Sequence, residues 1–106
     1  MDNFKAVYKI LSTLEKAMDL SEFDIDLIGP KVLDISQERW YRYLEMMLDA
    51  EYIKGVRISK DIAGNVRLDC NDIRITLKGM EYLHENSIMQ KMYNLAKGIK
   101  EVAPML

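Results

Sequence analysis

Two groups of side chains carry the chemistry this sequence has to offer, and both suit nucleic acid. Gln37, Arg39, Tyr41 and Arg42 open a stretch with helical spacing. There a guanidinium can bond guanine, and a carboxamide adenine, through paired hydrogen bonds. Lys54, Arg57, Lys60 and Arg67 lie on two alternating stretches and the turn between them, where cations contact phosphates. Each group also has a plainer reading. Glu38, Glu45, Asp49 and Glu51 outnumber the two arginines of the first group and oppose a polyanion, which fits a solvated face. The second group equally suits a charged edge strand that discourages aggregation, and Lys91, Lys97 and Lys100 read as the solvent face of the last helix.

Other chemistries lack their residues. His84 is the only histidine and Cys70 the only cysteine, so no zinc spacing or Cys/His couple can be assembled. Asp24 and Asp26 are not followed by the rest of a calcium loop and read as helix-capping residues. Glycine-rich phosphate loops and nucleophile elbows are missing. The expectation is a non-enzyme with no metal and no cofactor. A lone thiol without a signal peptide points to a reducing, cytoplasmic setting. No run approaches the roughly 18 to 20 apolar residues of a membrane span.

The elements that must position the two groups are legible as periodicity. With 106 residues, 49% of them apolar and 30% charged, the chain is expected to form a single domain over 1–106. Asn3 can cap a first helix, to about Asp19, with Phe4, Val7, Leu11, Leu14 and Met18 on its inner stripe. An acidic piece from Ser21 to Pro30 suggests a short second helix closed by the Gly29-Pro30 breaker. Ser36 caps a third helix through Asp49, with Trp40, Tyr43, Leu44 and Met47 inward and Tyr41 and Leu48 off that stripe. Tyr52 to Ile58 and Val66 to Asp69 alternate around the turn Ala63-Gly64-Asn65 and predict a hairpin. Ile73-Arg74-Ile75 adds a short strand. Thr76 caps a helix from Leu77 to Glu85, stopped at Asn86, with Leu77, Met80, Tyr82 or Leu83 inward. Ser87 then opens a last helix with Ile88, Met92, Leu95, Ile99 and Val102 at heptad-like steps. That seam can zip against the first helix or pair with its copy in a homodimer. The eight methionines read mostly as core filler.

The fold class expected is α+β and mostly helical: a winged helix-turn-helix with a β-hairpin wing and an added C-terminal helix. Charge divides along it. Residues 15–51 hold ten acidic and four basic side chains, whereas residues 54–78, the wing region, hold six basic and three acidic. The net charge is −2.

Several segments resemble the YjcQ-like family, small winged-helix proteins of Gram-positive bacteria and their phages, over nearly the whole chain. Tyr8-Lys9-Ile10-Leu11 matches the family's opening helix, and Trp40, Leu44, Met47 and Tyr52-Ile53 match its helix running into a strand. Ile75-Thr76-Leu77-Lys78-Gly79-Met80-Glu81-Tyr82-Leu83 is similar to its Leu-Thr-x-Lys-Gly-x-x-Tyr-Leu motif, which is shared with many winged-helix regulators. Glu51 stands where the family often carries glycine. The resemblance implies a winged-helix fold, a phage or prophage setting and a DNA-binding role.

Two functions follow as expectations. The first is a phage- or prophage-associated transcriptional regulator that places its third helix in the major groove of double-stranded DNA and its basic wing on the backbone. The second is a winged-helix protein-interaction module whose acidic segment from Glu22 to Glu51 faces a basic partner. A basic groove-facing surface favours the first, and a continuous acidic or apolar surface over the third helix favours the second.

Overall fold

A computed structural model describes residues 3–96, with side chains through Ser87. The first helix, α1 (Asn3–Lys16), buries Ala6, Ile10, Leu11 and Leu14. Its inner face is therefore turned away from the expected stripe: Phe4 and Met18 are 73% and 60% exposed. Phe4 sits at the margin of a face centred near Ile10 and Leu14, and Met18 leaves the helical period because α1 gives way to a 3-10 turn, Ala17–Asp19.

A second 3-10 turn, Ile25–Ile28, is capped by Asp24, whose carboxylate accepts the Asp26 N–H at 3.0 Å. Gly29 closes this segment, as the Gly29-Pro30 breaker predicts, and Pro30 opens the next. It is the first residue of a one-turn helix, α2 (Pro30–Leu33), where its missing N–H costs nothing and its fixed φ suits the helix. Asp34, with φ 55°, reverses the chain, and Ser36 caps α3 (Gln37–Asp49) by accepting the Arg39 N–H at 3.1 Å. The buried residues of α3 are Trp40, Tyr43, Leu44 and Met47, as its periodicity predicts. Its exit is a Schellman turn: Tyr52 N–H donates to the Met47 carbonyl and Glu51 N–H to that of Leu48. Glu51 takes the left-handed conformation at φ 63°, the state in which a glycine would be unstrained.

The expected hairpin is one ribbon folded into two short sheets. The strands β1 (Ile53–Lys54) and β4 (Arg74–Ile75) pair antiparallel, with Ile53 opposite Ile75. Beyond them β2 (Arg57–Lys60) pairs with β3 (Val66–Asp69), with Ile58 opposite Leu68. The ribbon breaks at Gly55, whose φ is +80° and where a Cβ would fall 1.8 Å from the Asp72 carbonyl oxygen. At the tip, Asp61 accepts both the backbone and the side-chain N–H of Asn65, bonds that hold its carboxyl below the usual range.

The two helices expected after the wing are a single one, α4 (Leu77–Ala96). Thr76 caps it, accepting the Gly79 N–H at 3.1 Å. Asn86 and Ser87, which read as stop and start, are absorbed instead. Asn86 donates to the Tyr82 carbonyl one turn back, and the Ser87 hydroxyl meets the Tyr8 hydroxyl of α1 at 2.9 Å. Leu77 is 75% exposed, while Met80, Tyr82 and Leu83 pack against the core. α4 lies against α1 and β4. Ile99, Val102, Lys97 and Lys100 lie outside the described residues, as do the side chains of Ile88, Lys91, Met92 and Leu95. The result is an α+β, mainly helical fold of winged-helix type, with one core running from Ile10 and Leu14 through Trp40 and Leu44 to Ile53 and Ile75.

Candidate functional site

With Trp40, Tyr43, Leu44 and Met47 buried, the opposite face of α3 is set by geometry. Residues spaced by four, three and four share a helical face, so Glu38, Arg42, Glu45 and Asp49 form one exposed stripe. Three carboxylates and one guanidinium give that stripe a net charge of −2. Arg42 is its only cation and makes no ion pair among the described residues. Met46 lies beside the stripe and is 53% exposed.

The other three side chains expected to meet bases are engaged within the fold. The Arg39 guanidinium reaches back to α1 and donates to the Asn3 carboxamide oxygen at 2.7 Å, an acceptor it shares with the Tyr43 hydroxyl. This ties the start of α3 to the start of α1. Gln37 donates to the Tyr41 hydroxyl at 2.8 Å, and the half-buried Tyr41 ring packs tilted against Trp40 at 5.8 Å. The four residues therefore divide: Arg42 faces outward, Gln37 and Tyr41 hold each other at one edge, and Arg39 lies toward α1.

The wing separates its cations in the same way. Across β2 and β3, Arg57 stands opposite Asp69 and Ser59 opposite Arg67, so Arg57 and Arg67 share the outward face as diagonal neighbours. The alternate positions Ile58 and Leu68 pack against the core, and the pair Lys60 and Val66 shares their face at the tip. Lys54 belongs to the other sheet, opposite Arg74, which is paired with Asp72 at 3.0 Å. The outward wing face thus offers two arginines and a serine beside one carboxylate.

A third feature escaped the sequence reading. Phe23 and Ile25, from the segment before α2, face Leu68 and Cys70 of the wing across a groove of about 480 Å³, with Trp40 also in its lining. Alternation along Val66, Leu68 and Cys70 was the available signal, but the opposite wall comes from a segment more than forty residues earlier. Burial, with the Asp69 charge next to it, pushes the Cys70 thiol up to about 11. At neutral pH the thiol is therefore almost wholly protonated and reacts slowly. Among the described residues, no cluster of His, Cys, Asp and Glu could hold a metal ion, and no helix is long and apolar enough to cross a membrane.

These elements define a winged-helix-like α+β module that exposes an acidic helix face and a basic wing face. The chain belongs to the YjcQ family: the family model, described as YjcQ protein, matches residues 8–102. No curated protein and no solved structure matches it.

Proposed function

We propose that this chain is a non-catalytic, cytoplasmic winged-helix module that docks a basic protein surface on the outer face of α3. The observation that carries this reading is the stripe Glu38, Arg42, Glu45 and Asp49. In a winged helix that reads DNA, this outer face enters the major groove. Here three carboxylates would lie between phosphate walls, against the charge term that supplies most of the affinity. Facing a basic protein, the same charges steer association and select the partner.

A second reading keeps double-stranded DNA as the partner, in the manner of a phage- or prophage-associated regulator. Arg57 and Arg67, diagonal neighbours on the outward wing face beside Ser59 and Asp69, support it. Two neutralised phosphates would give a salt slope of only about −1.8, so the wing alone makes a weak clamp. A homodimer through the far part of α4 is compatible with either reading.

The test compares the natural chain with the variant Glu38→Gln/Glu45→Gln/Asp49→Asn. Each is titrated against random and promoter duplexes, and against an oligolysine peptide, at about 50 and about 200 mM salt. The protein-docking reading expects no duplex binding by the natural chain, retention of the cationic peptide, and loss of that retention in the variant. Salt-sensitive, fragment-selective duplex binding by the natural chain would replace it with the DNA reading.

A further inference from the structure

The groove between the wing and the body gives the proposed partner a second, more specific contact. Its walls are Phe23 and Ile25 on one side and Leu68 and Cys70 on the other, with Trp40 between them. At about 480 Å³ it is in the size range of ligand-binding clefts. A smaller hollow of about 130 Å³ continues it past Phe23, sharing Ser21, Phe23 and Asn71, and is lined in part by Met18 and Leu20. Met18 and Leu20 are 60% and 61% exposed, so the smaller hollow adds apolar surface open to solvent.

The charges along this trough decide what it fits. Glu22 lines the larger hollow. The smaller one is lined by Asp72 and Arg74, which already neutralise each other at 3.0 Å. Asp19 and Asp24 flank the lining segment and are exposed. Lys60 shares the inward face of the wing but stands at its tip, opposite Val66. The body side of the trough therefore carries the negative charge of Glu22, Asp19 and Asp24 beside the apolar side chains of Phe23 and Ile25.

We infer that the trough binds a basic amphipathic peptide segment of the partner, its apolar side chains seated along Phe23 and Leu68 and its cations against Glu22. This rests on the reading of the chain as a protein-docking module and adds the shape and chemistry of the docked segment. Apolar contact at Phe23 and Leu68 supplies affinity, and the acidic rim discriminates against acidic segments of equal hydropathy.

The chain carries its own reporters, since Trp40 is the only tryptophan and Cys70 the only cysteine. A short helical Leu/Lys peptide is titrated against the natural chain and followed by Trp40 emission and by the rate of Cys70 alkylation with a maleimide. A Leu/Glu peptide of the same pattern serves as control. The Leu/Lys peptide is expected to shift the emission and slow the alkylation, and the Leu/Glu peptide to do neither. Leu68→Ala is expected to weaken binding about tenfold, the equivalent of about 1.4 kcal/mol. Glu22→Lys, a change at an exposed position that leaves the core intact, is expected to weaken it severalfold. Binding that leaves both reporters unchanged and is lost in the α3 variant Glu38→Gln/Glu45→Gln/Asp49→Asn would overturn the trough while leaving the docking face on α3 standing. No binding of the Leu/Lys peptide at all would overturn both, and equal responses to the two peptides would overturn the charge argument.

Discussion

Replacing Gly79 by alanine sets two effects of opposite sign against each other. In a solvent-exposed helix interior, Gly→Ala stabilises by about 1 kcal/mol, because alanine loses less backbone entropy. At Gly79 an added Cβ would lie 2.4 Å from the Tyr52 carbonyl oxygen and 2.6 Å from Ile75 Cγ1. Neither neighbour can yield cheaply. The Tyr52 carbonyl accepts the Thr76 N–H at 3.0 Å, and Ile75 is 7% exposed within the core. Relief requires α4 to move off β1 and β4, and overpacking of this kind costs about 1–3 kcal/mol or more. With such contacts the steric cost exceeds the propensity gain, and the net expectation is a loss of about 1–2 kcal/mol, or a Tm lowered by about 5–10 °C in a domain of this size. Urea unfolding followed by Trp40 fluorescence, with far-UV circular dichroism as a second probe of two-state behaviour, measures it. Glu85→Ala, an exposed change on the same helix, is the control and should stay within about 0.5 kcal/mol of the natural chain. A Gly79→Ala chain as stable as the natural one, or more so, would refute the close approach of α4 to the β1–β4 sheet.

Three further outcomes are expected. Ser36→Ala, which leaves the Arg39 N–H without its cap, should cost about 1 kcal/mol in the same urea assay. Trp40→Phe removes the indole N–H that meets the Ile28 carbonyl at 2.7 Å and leaves that buried acceptor unpaired, so circular dichroism should register a loss of about 1–3 kcal/mol. The thiol of Cys70, raised to about 11 in the fold by burial, should alkylate in the native chain along a pH curve displaced upward from that in denaturant. Because the folded pKa lies above the unfolded one, this group's contribution to stability is fully present below the unfolded pKa and is lost as pH rises through about 11. A native curve that coincided with the denatured one would show Cys70 to be solvated.

The helices of the body were readable because their signals are local. The inward set of α3 follows from its spacing, and Ser36 and Thr76 cap where hydroxyls before an apolar run should. Signals carried by residue preference failed wherever a distant partner outweighed them. Asn86 and Ser87 have the composition of a helix boundary, but Ser87 finds Tyr8, seventy-nine residues away, and the helix continues through both. The Gly29-Pro30 step ends one short helix as expected, but the further one-turn helix that Pro30 opens was not foreseen. Leu77 was expected inside, as was Phe4 on its helical spacing, and both lie outside, since each stands at the margin of its helix's packed face.

For the candidate site, the sequence by itself determined the residue types, the division of charge between the acidic segment and the wing, and the α3 stripe, because a helical period fixes which side chains share a face. The tertiary structure alone decided which of those side chains are free to bind. The Asn3 carboxamide that engages Arg39 belongs to another helix, the register that sets Arg57 and Arg67 on one face is a property of strand pairing, and the trough joins Phe23 to Leu68 across the fold. Each depends on contacts between segments far apart in the chain, which composition and periodicity, being local, do not encode.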